Sequence, residues 1–328
     1  MKHAVRKLSV VLAVLLALAL AAPALAQGGD PLCTGLSDAD CQLLQGVQAA
    51  MAGVSSFSTP SWKIDLNISD GTQQFTFNAS GSGAFQFSPD ASQLLVHLIV
   101  DQASLVTPNG SQAGAAEVIL TQDMGYVYFN GEWYGGEITE EDLAGLGDVG
   151  NLGGLMGEGT GGLSDMGIDL TGVVTTTRGA DEQVGGQQTA VFSTDINIPQ
   201  LLVAVLSSPT IGEMLGAAGG DLGMGEMTPE DMQMMAMFLG PMLGQSKLTV
   251  GQWVGLSDNM LHKIALDVVI DVNLSAFDPE TPPITGNISF MSEIGAVNQP
   301  VSVSFPESYR PIEELQAQLE GLNALMDF

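Results

Sequence analysis

Basic residues are scarce in this sequence: 8 Lys and Arg stand against 37 Asp and Glu, for a formal net charge of −29 over 328 residues. Three of the eight (Lys2, Arg6, Lys7) precede an apolar run from Leu8 to Ala22, so the chain beyond Ala26 keeps all 37 acids and five bases, a charge near −32. A surface so poor in cations repels phosphate backbones, which excludes nucleic acid as a partner. It also disfavours anionic membrane surfaces unless a divalent cation bridges them. The number of acids is ordinary and the deficit lies in Lys and Arg, a pattern that favours solubility through self-repulsion.

Long apolar runs are equally scarce. The basic start, the run of roughly 15 apolar residues and the close at Ala24-Leu25-Ala26 describe a secretory signal peptide cleaved before Gln27. A membrane span needs about 20 such residues, and no other segment reads as one. Cysteine is limited to Cys33 and Cys41. In an exported chain two such residues form one disulfide. They cannot share one straight helix, because eight residues at 1.5 Å rise place them about 12 Å apart. Cys33 is therefore expected in a coil folded back on a helix that carries Cys41. Asp30-Pro31-Leu32 before Cys33 lacks the small residues that lipid attachment requires, so no lipid anchor is expected.

Catalytic side chains are thin. Beyond the leader only His97 and His262 remain, each on an expected strand, and there is no G-x-S-x-G, H-E-x-x-H or P-loop. Glu140-Glu141 and Glu313-Glu314 stand at helix starts, where acids suit the macrodipole. No catalytic residue, metal ligand set or cofactor is expected. No D-x-D-x-D-G loop appears for Ca²⁺, and the methionines lack the His or Cys that copper sites add.

What the sequence does hold is period-two alternation. Ser37 with Asp40 reads as a capping box ahead of an amphipathic helix over about 37–53. From Trp62, apolar Trp62, Ile64, Leu66 and Ile68 alternate with polar residues, and Asp70-Gly71 marks a hairpin. Further strands are expected at Gln74–Ala79, Gly83–Ser88, Gln93–Val106, Ala116–Thr121, Gly125–Phe129 and Glu132–Tyr134, the last pair joined by Asn130-Gly131. Gly172–Arg178, Gln187–Asn197, Lys247–Ser257, Met260–Val272, Ile284–Glu293 and Pro300–Pro306 complete the set. Helices are expected at Gln200–Ser207, at Thr210–Ala218, after Thr228-Pro229 and from about Pro311. Strands and helices in separate runs indicate an α+β fold with antiparallel pairing.

Two segments interrupt this texture. From Leu143 to Gly167, 10 of 25 residues are Gly, interleaved with Leu and Met, which reads as an apolar loop or lid or as a disordered insertion. The helix after Pro229 carries Met232, Met234, Met235, Met237, Phe238, Leu239, Met242 and Leu243. It is apolar on every side and must be buried or touch a ligand. Methionine adapts to irregular apolar shapes, so this helix is either a plain core element or the deformable wall of a site for a greasy ligand.

Three motifs in order resemble the LolA-like superfamily of bacterial lipid and lipoprotein carriers, which includes the LppX/LprG group. They are Tyr126-Val127-Tyr128 with a hairpin to Trp133, Val184-Gly185-Gly186-Gln187 leading to Thr189–Phe192, and Trp253–Asp258 followed by Leu261-His262-Lys263-Ile264. The resemblance implies a strongly curved antiparallel β-sheet, an open half-barrel, with helices closing its concave side around an apolar cavity. It implies three parts: a leader over 1–26, an N-terminal coil and helix over 27–61 with the Cys33–Cys41 staple, and a half-barrel over 62–328. The Gly-rich (143–167) and Met-rich (199–243) segments would be inserts in the last. The expected function is an exported, non-enzymatic carrier, chaperone or sensor of a lipid or other hydrophobic small molecule, with an envelope lipoprotein or membrane partner. The expected lining is Leu202, Val205, Met232, Met235, Phe238 and Leu239, with Trp133 and Trp253 as wall or rim. The alternative is a structural or interaction domain of the cell envelope, with Ca²⁺ dependence as one form of it.

Overall fold

A computed structural model describes residues 30–87, 94–138, 168, 170–208, 234, 237, 240–273, 275 and 281–315. A short 3-10 turn, Asp30–Cys33, precedes helix α1, Asp38–Met51. Ser37 caps α1 by accepting from the Asp40 amide at 3.2 Å while its hydroxyl donates to the Asp40 carboxylate at 2.7 Å. Cys33 and Cys41 are bonded with Cα atoms 5.2 Å apart, the turn folding back on the helix as the spacing requires.

Among the described residues thirteen strands join in one open sheet. The first meander comprises β1 (Ser56–Ser69), β2 (Gln74–Phe87), β3 (Leu94–Thr107), β4 (Gly110–Thr121), β5 (Met124–Phe129) and β6 (Glu132–Glu137). The second comprises β7 (Val174–Arg178), β8 (Glu182–Val184), β9 (Gln187–Asn197), β10 (Lys247–Gly255), β11 (Leu261–Val272) and β12 (Ile284–Glu293). The chain starts in the middle of the sheet at β1 and walks out to β6. It resumes at the far edge, β7, and walks back until β12 pairs with β1. Helix α2, Ile198–Leu206, follows β9, with Asn197 accepting from the Gln200 amide as its cap. A two-residue strand β13, Arg310–Pro311, then returns to β6.

The turns follow local chemistry. Asp70 Oδ1 accepts from the Thr72 and Gln73 amides at 2.9 and 2.7 Å, setting the β1–β2 hairpin. Asn130 and Gly131 both hold positive φ (50° and 90°), as a two-residue hairpin between β5 and β6 demands.

Several sequence expectations are corrected. The strands expected from Gln74 and from Gly83 are one strand, described through Phe87, because glycine here marks a close approach and not a break. A Cβ on Gly81 would overlap the Ile99 carbonyl oxygen and stand 2.9 Å from the Trp62 ring. Pairing shifts register between Thr59 and Trp62, so Pro60 is accommodated in a bulge and β1 begins at Ser56. β4 starts at Gly110, six residues before the expected Ala116. Pro300–Pro306 is not a strand; Phe305 and Tyr309 instead lean on Tyr126 from outside the sheet. The β13–β6 pair is parallel, so the sheet is mixed and not wholly antiparallel. The short β8 carries too few residues to show alternation.

One face of the sheet bears the core. Trp62 and Ile64 of β1, Phe85 of β2, Val96 and Leu98 of β3, and Val118 of β4 lie in one apolar cluster. Phe192, Val250, Val254, Leu261, Ile264, Leu266 and Phe290 continue it across the second meander. Leu44 and Val47 of α1 are fully buried in the same cluster, and Leu201, Ala204 and Val205 of α2 pack against it. The opposite face carries polar pairs, with Asn78 donating to Asp65 at 2.8 Å and Thr249 to Asp195 at 2.5 Å, and turns aromatic at β4–β6, where Ile119 pairs with Tyr126 and Tyr128 with Trp133. A sheet this wide curls instead of staying flat, and register shifts on β1–β2, β2–β3, β3–β4 and β10–β11 supply bends.

Candidate apolar binding face

The described helices pack against the second meander. α1 rests on β10, where a Cβ on Gly46 would approach Asn259 of the β10–β11 turn at 3.0 Å. α2 rests on β9 and β10 at the other end of those strands, with the Ile198 amide donating to the Ser246 carbonyl. At the β6 edge, Gly136 gives room for Ile312, whose side chain would lie 2.8 Å from an added Cβ, and a helical turn at 312–315 begins there.

Between these supports the core face of the first meander carries Phe77, Phe87, Leu94, Val100, Leu120 and Val127. All six are half-buried and pack on the cluster. Twelve strands lie along the main path, an arc of roughly 50 Å at about 4.8 Å per strand. Two helices each about 10 Å across cover less than half of it.

The face is almost free of charge but not of polar groups. On one row across the sheet, Phe192, Gln252, Ile264, Ser292 and Trp62 are directly paired in turn. Gln252 is 2% exposed, and its Nε2 has no hydrogen-bond partner; Thr59 Oγ1, also buried, has none. The edge at β6 is polar: Arg310 donates to Glu132 at 2.6 Å and Tyr134 donates to the same carboxylate at 3.0 Å. Arg310 first, then Tyr134, holds the Glu132 carboxyl below its ordinary range.

The sequence-expected lining is divided by the structure. Val205 packs against the core cluster, and Leu202 is half-buried on the same helix. Met232, Met235, Phe238 and Leu239 lie outside the described residues. Their helical neighbours Met234 and Met237 are 59% and 66% exposed, so that helix is not buried on every side as its composition suggested. Gly240, by contrast, is buried and sits beside Val203 of α2. The structure does not bring the two tryptophans to the core face. Trp133 packs on Tyr128, which shares the outer face with Tyr126. Trp253 lies over Gly251 under the Lys263 ammonium, 4.2 Å from the ring centroid, and donates to Glu182 at 2.7 Å. Strand parity shows why: Val127 and Val254 point to the core, so Tyr128 and Trp253 point away. Sequence reasoning missed Gln252 and Ser292, which read as the polar half of an alternating strand.

An open cleft of about 440 Å³ lies between residues 171–173 and Gln200, Val203, Ala204 and Ser207 of α2 and its C-cap. Among the described residues no three His, Cys, Asp or Glu side chains stand close enough to hold a metal ion. His97 meets Glu117 at 2.6 Å and His262 meets Asp258 at 3.1 Å, each a half-buried pair. Among the described residues no helix is long and apolar enough to cross a membrane.

No protein-family model matches the chain. No curated protein matches it either. Solved structures similar to it include lipoprotein LppX of Mycobacterium tuberculosis, 12% identical over 82% of this chain and 100% of that one, with a TM-score of 0.34. LprF of Mycobacterium bovis is 15% identical over 81% and 96%, with a TM-score of 0.35. A putative outer-membrane lipoprotein-sorting protein domain of Vibrio parahaemolyticus is 7% identical over 80% and 93%, with a TM-score of 0.21.

Proposed function

We propose that the protein is an exported, non-catalytic carrier or sensor that holds a lipid-like ligand on the core face of its curved sheet, with helices closing over it. One observation carries this reading: the apolar face extends over β2–β5, where Phe77, Val100, Leu120 and Val127 remain half-buried, well beyond the part that α1 and α2 cover. A domain that needs only a core has no use for so wide an apolar face, since apolar area left in water forgoes about 25 cal/mol per Å². An alkyl chain burying some 300 Å² there would gain about 7 kcal/mol before ordering costs. In this account the Gly-rich 143–167 segment and Met232, Met235, Phe238 and Leu239 form the opposite wall, and Val205 lines one end. Trp133 and Trp253 support the sheet from outside.

The test is uptake of a pyrene-labelled fatty acid by the mature chain and by Val127→Asp, which places a charge on β5 near the sheet edge. Uptake by the parent, and at least ten-fold weaker uptake by a variant with unchanged circular dichroism, is expected. Equal uptake by the two would remove β2–β5 as the binding face. Absence of uptake by the parent would favour an envelope interaction domain.

A further inference from the structure

We propose that the outer face of β5 and β6, with the segment that crosses it at Phe305 and Tyr309, is a docking surface for a Lys- and Arg-rich segment of another protein. The surface is independent of whatever the core face holds. Among the described residues the three exposed aromatic side chains all stand here: Tyr128 at 37%, Phe305 at 48% and Tyr309 at 48%. They belong to one patch. Trp133 lies 5.3 Å from Tyr128 between ring centroids, and Tyr126 meets Tyr309 at 5.2 Å and Phe305 at 6.0 Å. Gly135 lets the rings gather, since a Cβ there would stand 2.7 Å from Tyr309 and 2.9 Å from Tyr126. Apolar ring area left in water forgoes burial, and Tyr and Trp are the residues that most often dominate a protein interface.

Charge selects the occupant. Of the five bases beyond the leader, Lys63, Arg178, Lys247 and Lys263 lie on β1, β7, β10 and β11, while residues 74–137, from β2 to β6, hold six acids and no Lys or Arg. Arg310, the fifth, is already held between Glu132 and Glu314 at 2.6 and 2.5 Å. Exposed Glu137 shares the outer face with Trp133 by strand parity, and exposed Glu307 stands between Phe305 and Tyr309 in the chain. Glu117 pairs with Tyr128 across β4 and β5 and meets His97. A second copy would set like charge against like, and an anionic bilayer would meet the same carboxylates. A cationic segment gains twice, from the carboxylates and over the ring faces. The chain's own bases make the second contact, Lys263 over Trp253 at 4.2 Å and Arg178 over Phe192 at 5.4 Å.

The test is fluorescence anisotropy of a labelled peptide of three Lys-Arg-Gly repeats, and of its counterpart with Gln for every Lys and Arg, at about 150 mM salt so that distant charges are screened. Tyr128→Ser with Tyr309→Ser removes two ring faces and no charge. The mature chain is expected to bind the basic peptide and not the neutral one, and the serine variant to bind it about ten-fold more weakly, the worth of two exposed cation–π contacts. Glu137→Gln with Glu307→Gln leaves every ring in place and should weaken binding about three-fold. Asp195→Asn with Asp267→Asn removes equal charge from the outer face of the second meander, where both residues pair with Thr249, and should leave binding nearly unchanged. Equal effects of the two acid pairs, or no effect of the two serines, would overturn the inference and assign the binding to net charge alone. Failure of the parent to bind the basic peptide would also overturn it; binding of chitohexaose, or a dimer that the two serines abolish, would then name a glycan or a second copy as the occupant.

Discussion

Gly81 is the position where the geometry of the sheet can be tested with one methyl group. It lies on β2 between register shifts on both neighbouring strands, under the Trp62 ring and against the Ile99 carbonyl. An added Cβ would overlap that carbonyl and press on Trp62 from 2.9 Å. Relief requires the β2–β3 bulge to open or Trp62, 4% exposed, to leave the core. Overpacking of this kind costs about 1–3 kcal/mol, and partial exposure of a tryptophan adds a comparable amount, so Gly81→Ala should lose roughly 3 kcal/mol. Gly114 on β4 has nothing within 4 Å of its Cβ position. There the same change should gain about 0.5 kcal/mol by restricting the unfolded chain. Urea unfolding of both variants, with slopes equal to the parent's, gives the two values directly. If Gly81→Ala lies within about 0.5 kcal/mol of Gly114→Ala, the close approach of β2 to β3 and Trp62 is wrong, and with it the bend that shapes the binding face.

Other consequences concern the supports of the face. Replacing Cys33 and Cys41 by Ser should cost about 2–3 kcal/mol, the entropy of a loop this short. It should also speed hydrogen exchange along β7, against which the 30–33 turn packs and where Arg178 meets Asp40 at 3.2 Å. Asn197→Ala should cost about 1 kcal/mol through loss of the α2 cap, read as a lower urea midpoint. Glu132 is held below its ordinary 4.5 by hydrogen bonds from Arg310 and Tyr134, and Asp70 below 3.8 by the Gln73 amide first. A carboxylate with a depressed folded pKa stabilises fully above its unfolded value and loses that contribution as pH falls through the folded one. Stability should therefore decline below about pH 4.5, and Glu132→Gln should flatten that acid limb while leaving the neutral range nearly parallel to the parent; an unaltered limb would show that the Arg310 pair is absent in solution.

Most of the sheet was legible because its strands alternate cleanly. Trp62-Ile64-Leu66-Ile68, the Asp70-Gly71 and Asn130-Gly131 turns and the Ser37 cap all carry their signals within a few residues. The misreadings have a common cause, which is that local pattern does not report long-range contact. Gly81 and Gly83 look like a strand break until Ile99 and Trp62 are placed against them. Pro60 looks like a boundary until a bulge receives it. The tryptophans attracted attention by size, yet parity sends Trp253 outward to Glu182 and Lys263, while unremarkable Gln252 beside it turns into the core. Arg310–Pro311 could not be anticipated, since two residues pairing in parallel with β6 leave no periodicity to read.

Whether the core face holds a lipid is tested most directly by native mass spectrometry of the mature chain purified from its own host, with solvent extraction of the same sample. The expected result is an added mass that leaves on denaturation and matches an extracted lipid. A bare protein mass, unchanged after incubation with lipid vesicles, would contradict the carrier reading.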